Sequence, residues 1–328
     1  MAEKKHTLKE RTLGKSGLQV SEIGFGLWAA GGDVWGPTDD QKIFNAIDYA
    51  LDQGVNFFDT ADVYGGGHSE ELLGKAMKGR RDEFIVATKI GWLGFDGEKG
   101  QSAYTSVERL IAGVESNLER LDTEYIDVIQ SHIDFQDPTM EIFLEGFQKL
   151  EKEGKVKAYG VSTSDFDYLQ AFNEDGKCAT LQIDYSILNR TPEKEILPYC
   201  QEHDIGVIVR GGLAMGILTG KFTPETRFPE GDFRRRWHEN EEEYQIFLHD
   251  LERVEKLEPL AEERSQAQLA LQFLLANPAV STVIPGIKNI QQARANIDAG
   301  KLPPLSEDEL EAIDAVVPPG GGRKIWPA

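Results

Sequence analysis

The sequence predicts an α/β protein folded as a closed (β/α)8 barrel, and three observations predict it. Eight short apolar runs recur along the 328 residues. Most are continuous rather than alternating, as strands buried on both faces are. Stretches with helical spacing separate them, which implies a parallel sheet joined by right-handed crossovers. Eight such units in one chain of this length suit a closed ring better than an open sheet.

The predicted strands are SEIGFG (21–26), VNFFDTA (55–61), FIVATKI (84–90), IDVIQSH (126–132), KAYGVST (157–163), TLQIDYSI (180–187), GVIVRGG (206–212) and VSTVIPGI (280–287). Between them, Ile43, Ala46, Ile47, Ala50 and Leu51 mark one stripe of a helix. SVERLIAGVESNLERL and PTMEIFLEGFQKLEKEG behave likewise, the second with Gly154 as its C-cap. Further helices are expected over 69–78, 192–203, 266–276 and 290–299. RTLGKSGLQVSEI predicts an N-terminal β-hairpin around Lys15-Ser16-Gly17, capping the lower end of the barrel. The charged stretch 221–262 reads as a long insertion after the seventh strand. A helical C-terminal tail, 302–328, should pack or drape outside. Nothing resembles a linker, so residues 1–328 are expected to form one barrel domain.

Acidic residues outnumber basic ones, 56 to 35, for a formal net charge of −21. That field repels nucleic acid and anionic membranes, so neither is an expected partner. Two cysteines, Cys178 and Cys200, are too few for a disulfide framework and suit a reducing compartment. The N-terminal stretch lacks the apolar core of a signal peptide, and no apolar run is long enough to span a bilayer. A cytoplasmic protein is expected, and no feature sets its oligomeric state.

Gly24-Phe25-Gly26-Leu27-Trp28-Ala29 matches a dinucleotide fingerprint, but that fingerprint must open a helix. Here the chain continues into GGDVWGPTDD, which reads as loop. Barrel enzymes assemble their sites at the C-terminal ends of strands. There this chain places Asp59 with Tyr64 beyond it, Lys89, His132, Ser162 with Thr163, Gln182 with Tyr185, and Arg210. Singly, each has an ordinary structural explanation. Four ionisable groups at three neighbouring strand ends are harder to dismiss, because lysine is depleted in strands.

A tyrosine with a pKa of about 10 is a poor acid, and a nearby ammonium lowers that value. A carboxylate fixes the lysine, and an imidazole orients a carbonyl oxygen. Together they make a proton donor aimed at a developing alkoxide. Carbonyl reduction needs a hydride that no side chain supplies, so a nicotinamide cofactor is implied. Ser162 and Gln182 can hold a carboxamide, and Arg210 or Tyr185 can stack on a flat ring. Lys288 and the helix starting near Asn289 can receive a phosphate. One histidine and one aspartate fall short of a metal-ligand set.

GFGLWAAGG, DTADVYGGGHSEELLGKAM, ATKIG, IDVIQSH, AYGVST, LQIDYSILNR, GILTGKF and VIPGIKNIQQARAN occur in this order. With them the chain resembles the aldo-keto reductase superfamily over nearly its whole length. Its style is that of bacterial and potassium-channel-β-like members. The resemblance implies an NADP-dependent oxidoreductase that interconverts small carbonyl substrates and alcohols, with a catalytic tetrad of Tyr64, Asp59, Lys89 and His132. It implies NADPH extended across the barrel mouth against Leu27, Trp28, Ser162, Thr163, Gln182, Arg210, Gly211, Leu213, Lys221, Gly286, Lys288, Gln292 and Asn296. Within that set Ser162 and Gln182 meet the carboxamide. Leu213 and Lys221 meet the pyrophosphate side, and Lys288, Gln292 and Asn296 the adenosine side.

Three departures stand out. Thr163 replaces an amide, Arg210 stands where many members stack an aromatic, and a K-S-x-x-x-x-R phosphate clamp is missing. Lys288 favours NADP and leaves NAD open beside it. Two alternatives follow: a cofactor-binding regulatory subunit with little turnover, and a lyase using Lys89 as a Schiff base. Trp28, Trp35, Tyr64, Phe95 and the 223–238 loop are the candidates for an apolar substrate pocket.

Overall fold

The computed structural model describes residues 8–32, 34–92, 102–134 and 139–325. Two short strands, β1 (Glu10–Thr12) and β2 (Gln19–Ser21), pair antiparallel as the predicted hairpin. Eight parallel strands follow: β3 (Phe25–Gly26), β4 (Phe57–Asp59), β5 (Ile85–Ile90), β6 (Ile126–Ser131), β7 (Val156–Ser162), β8 (Thr180–Asp184), β9 (Gly206–Arg210) and β10 (Val280–Val283). Each overlaps one of the eight apolar runs. Neighbours in sequence are neighbours in space, and the ends of the row meet. Gly24 N–H donates to Val283 O at 2.8 Å, Val283 N–H to Glu22 O at 3.0 Å, and Gly26 bridges Gly286. The ring is closed.

Around it run α1 (Asp40–Asp52), α2 (His68–Met77), α3 (Val107–Leu121), α4 (Thr139–Lys152), α5 (Phe166–Phe172), α6 (Ile196–Glu202), α7 (Arg236–Glu239), α8 (Glu241–Leu257), α9 (Gln266–Ala276), α10 (Ile290–Ala299) and α11 (Glu307–Val316). In α1, Asp39 caps the N-terminus by accepting from Gln41 and Lys42 N–H, and Ile43, Ala46, Ile47 and Ala50 are buried as the stripe predicts. Gly154, two residues past α4, adopts a φ of 74° as a C-terminal stop.

Three elements differ from expectation. Residues 192–203 do not form one helix, because Glu193 is drawn aside. Its carboxylate accepts from Tyr185 Oη at 2.6 Å and Arg190 Nε at 2.9 Å, so a 3-10 turn breaks before α6. The insertion carries a 17-residue helix, α8, that buries Phe247, Asp250, Val254 and Leu257 at spacings of three and four under a heavily charged sequence. Nor is the tail merely draped outside. Its strap, residues 317–325, reaches the strand ends, with Lys324 Nζ donating to Ser164 O and Ile325 N–H to Asp184 Oδ2, both at 3.0 Å.

Strand alternation divides the barrel interior into layers. At the bottom Phe57, Ala87, Val128, Ile208 and Ile284 pack with Leu13 and Val20 of the hairpin in one buried apolar plug. The hairpin is held by Arg11 Nη1 to Val280 O at 2.8 Å and Lys15 N–H to Asp204 O at 2.7 Å. One alternation higher, Asp59, Lys89 and Gln130 are buried on β4, β5 and β6, and Gln182 is buried on β8. The interior therefore changes from apolar to polar toward the C-terminal mouth.

Because Leu13 completes the plug, Leu13→Ala should cost about 2–5 kcal/mol of stability. Urea unfolding checks this, and a loss below about 1 kcal/mol would show that the hairpin only rests on the barrel.

Candidate active site

Asp59 closes β4 and Lys89 is the fifth residue of β5, and both face inward beside each other. Lys89 Nζ donates to Asp59 Oδ1 at 2.7 Å, Thr60 O at 2.7 Å and Tyr64 Oη at 3.1 Å, which uses all three of its hydrogens. Tyr64 reaches it from a turn in which Gly65, Gly66 and Gly67 hold φ of 61°, 63° and 103°. Side chains rarely adopt this left-handed conformation, and a Cβ on Gly65 would lie 2.3 Å from Gly31 O. The glycine run thus folds the chain back sharply enough to lay the phenol on the lysine. Gln182 Nε2 donates to Asp59 Oδ2 at 2.7 Å and to Gln130 Oε1 at 3.2 Å, so the carboxylate is held on both oxygens.

His132 follows β6, its N–H on Ile90 O at 3.0 Å. Its ring stands edge-on to Tyr64 at 5.8 Å and to Trp92 at 5.1 Å. Its buried Nδ1 has no hydrogen-bond partner among the described residues. Burial first, then Lys89 and Arg210, hold the imidazole well below its ordinary pKa, so it is neutral at pH 7.

The phenol differs from expectation. Tyr64 sits above its ordinary pKa, not below, because burial outweighs the Lys89 ammonium and Asp59 adds to the rise. Burial likewise raises Asp59 against the pull of Lys89 and Gln182. For Lys89 burial opposes the charge, but Asp59 and Tyr64 together overcome it and keep the ammonium protonated.

Ser162 ends β7 buried. Thr163 is turned away: its hydroxyl accepts from Asp165 N–H at 2.9 Å and bonds Asp134. Arg210 ends β9 half-buried and inward, in register with Asp184. Gly211 carries a φ of 69°, and a Cβ there would meet Asp184 Oδ1 at 2.3 Å. Leu213 is half-buried, whereas Lys221, Gly286 and Gln292 are exposed and Asn296 is buried. Leu27 is wholly buried in the core, its N–H bonded to Asp59 O. Tyr185 is corrected: one residue past inward Asp184, it points outward to Phe273, Glu193 and Asn277 and cannot stack on a ligand in the mouth. Phe95 lies outside the described residues.

The 223–238 stretch folds over the opening. Phe233 stacks on Trp28 at 6.4 Å and meets Trp35 edge-on at 4.8 Å, and Trp28 in turn stacks on Tyr64 at 5.8 Å. Arg234 lies over Trp35 and Phe228 and is paired with Asp232 at 2.6 Å. Lys288 Nζ donates to Trp35 O at 2.6 Å, and burial and then Arg234 lower its pKa. Reading the sequence missed Gln130, Trp92 and the Asp232–Arg234 pair. Gln130 was legible as the inward residue two before His132; the others sit in loops whose direction no periodicity reveals.

The Aldo/keto reductase family model matches residues 22–318. A barrel of this topology, with a lysine, aspartate and tyrosine joined at its mouth, is thus accounted for: the chain belongs to that family. It is 35% identical over 308 residues to the aldo-keto reductase YhdN of Bacillus subtilis, covering 92% of this chain and 91% of that one. Among solved structures it is similar to the holo form of aldo-keto reductase AKR11C1 from Bacillus halodurans, with a TM-score of 0.77, 32% identity, and 94% and 96% of the two chains covered. It is also similar to an aldo/keto reductase from Klebsiella pneumoniae in complex with NADP and acetate, with a TM-score of 0.72, 25% identity, and 97% and 99% coverage.

Asp62, between Asp59 and Tyr64, is 1% exposed and its Oδ1 has no hydrogen-bond partner among the described residues. Burial first, then the like charge of Glu70, push it up to about 7. Unfolded, it titrates at about 3.9. The stability it contributes is complete below the unfolded value and is lost as pH rises through 7. Asp62→Asn should therefore be more stable than wild type at about pH 8, by at most about 4 kcal/mol, with the gap closing by about pH 4. Urea midpoints at both pH values check it; a gap independent of pH would refute the assignment.

Proposed function

We propose that this oxidoreductase uses NADPH to reduce aldehydes or ketones reversibly to alcohols, the whole chain acting as one barrel domain, with Tyr64 as proton donor. One observation carries the reading: a tyrosine hydroxyl bonded to a buried lysine, itself fixed by a carboxylate, beside a neutral imidazole.

The residues present fit a nicotinamide dinucleotide. Lys288 offers an ammonium whose hydrogen-bond acceptors are backbone carbonyls, beside Arg234 and the N-terminus of α10. Around Gly286 the nearest atom to an added Cβ is Ala29 Cβ at 3.7 Å, which leaves room for a ligand to approach the backbone. NADP in the Klebsiella structure supports the same reading. Lys288, Gly286 and Asn296 would hold the adenosine end; Ser162, Arg210 and Trp28 would flank the ring. When bound, the nicotinamide supplies the hydride.

The chain's own residues supply the proton. His132, being neutral, can donate an N–H bond to the carbonyl oxygen and orient it. Tyr64 keeps its proton in the resting site because burial disfavours the phenolate. It releases the proton only to a much stronger base, the developing alkoxide, and Lys89 then stabilises the phenolate left behind. Asp59 holds Lys89 in place and Gln182 holds Asp59. Trp28 and Phe233 cover the opening and limit water.

Tyr64→Phe should lower kcat by about 10²–10⁴-fold across an aldehyde and ketone panel while NADPH still binds, as followed by fluorescence. Retained turnover would remove Tyr64 from the chemistry. Lys288→Met should weaken NADPH by about tenfold or more and NADH much less; equal weakening of both would move the phosphate contact elsewhere.

A further inference from the structure

Gln130, on β6, is wholly buried, and both ends of its amide are bonded to side chains of β8. Its Nε2 donates to Thr180 Oγ1 at 3.1 Å, and its Oε1 accepts from Gln182 Nε2 at 3.2 Å. Strand β7 lies between, and its residue in register with both Gln130 and Thr180 is Gly160. A Cβ on Gly160 would stand 2.3 Å from Thr180 Oγ1. The missing side chain is therefore what lets Gln130 reach across a whole strand. No catalytic group is touched, yet the contact ends one residue away from Asp59, on the amide that holds it.

We infer that Gln130 is a positioning residue of the reductase site: through the Gln182 amide it holds Asp59, and with it Lys89, in the arrangement that stabilises the Tyr64 phenolate. The role rests on the proposed carbonyl reduction. A glutamine amide has a donor end and an acceptor end, and a half-turn exchanges them. Gln182 Nε2 gives one hydrogen to Asp59 Oδ2 at 2.7 Å and the other to Gln130 Oε1. Turned over, it would set an oxygen against the carboxylate, acceptor against acceptor. Gln130 adds a second acceptor on the same nitrogen, so the amide cannot leave Asp59 without giving up both bonds. Without Gln130, one hydrogen of Gln182 is stranded in the interior and the amide loses one of its two holds. Asp59 then loses the fixed donor on Oδ2, and the Lys89 ammonium, 2.7 Å from Oδ1 and 3.1 Å from Tyr64 Oη, is less firmly placed. Lys89 matters most once the proton has left Tyr64, so the loss falls on kcat and leaves the carbonyl KM in place.

Gln130→Met keeps the length of the side chain and removes both polar ends. It should lower kcat by about three- to tenfold, with the carbonyl KM within about twofold of wild type. Gln182→Met strips the donor from Asp59 directly and should lower kcat by about tenfold or more. In the Gln182→Met background, Gln130→Met should then change kcat by less than about twofold, because its effect passes through Gln182. Gln130→Glu, neutral when buried near a carboxylate, keeps an acceptor for Gln182 and a donor for Thr180. It should stay within about threefold of wild type. Should Gln130→Met fail to fold, Thr180→Val removes the anchor of Gln130 and carries the same cycle. A further readout needs no turnover. The side-chain amide hydrogens of Gln182, assigned in NMR spectra by their loss in Gln182→Met, should exchange with solvent about tenfold faster in Gln130→Met. Unchanged kcat and unchanged exchange in Gln130→Met, a loss carried by KM, or an equal loss of kcat with and without Gln182 would overturn the inference alone. A wild type that neither binds NADPH nor reduces any carbonyl would overturn the reductase reading, and the exchange comparison would still decide whether Gln130 holds Gln182.

Discussion

A lysine ammonium buried inside a barrel is the constraint on which the rest of the site depends. Lys89 is wholly buried, and an isolated charge in that position costs several kcal/mol. Asp59 offsets the cost at 2.7 Å, and Thr60 O and Tyr64 Oη take the two remaining hydrogens. Asp59 in turn needs a donor for its second oxygen, which brings in Gln182 and, through it, Gln130 and Thr180. A single charge thus organises inward residues on four strands. None of them can be changed without leaving another polar group unsatisfied in the interior.

This chain of needs explains why the polar layer lies at one level of the barrel. Below it the apolar plug, closed by Leu13 and Val20, keeps water out from the N-terminal side. Above it, Trp28, Trp35 and Phe233 form an aromatic cover from loops on different strands. The ion pair therefore works in a medium of low polarity, where its effect on Tyr64 is larger than it would be in water. That same medium pushes the phenol up rather than down. The attraction of Lys89 and the burial that makes the attraction strong are two sides of one environment.

Much of the fold was legible because a parallel barrel writes itself as repetition. Each strand is an apolar run, and helices such as α1 carry a regular stripe. Asp59, Lys89 and His132 were legible because ionisable residues at strand ends violate the local pattern. The less visible parts depend on partners distant in sequence. Nothing in TLQIDYSI says that Tyr185 turns outward while Gln182 turns inward until the strand's register is known. The helix over 241–257 hides under glutamates, and the break before α6 comes from Glu193 finding Tyr185 and Arg190. The shift of Tyr64 was misread because one neighbour was weighed and the surroundings were not.

The strap of residues 317–325 has a consequence for the order in which the protein is made. A chain emerging from the ribosome N-terminus first lays down β3 to β9 in sequence, each able to pair with the strand before it. The ring cannot shut until Val283 and Gly286 arrive to meet residues 22–26. Even then Asp184 waits for Ile325, some forty residues beyond the last strand, to donate its backbone N–H. A segment made after every strand of the ring thus completes the wall of the mouth, so the pocket takes its final form only once residues 324 and 325 have joined the strands that precede them.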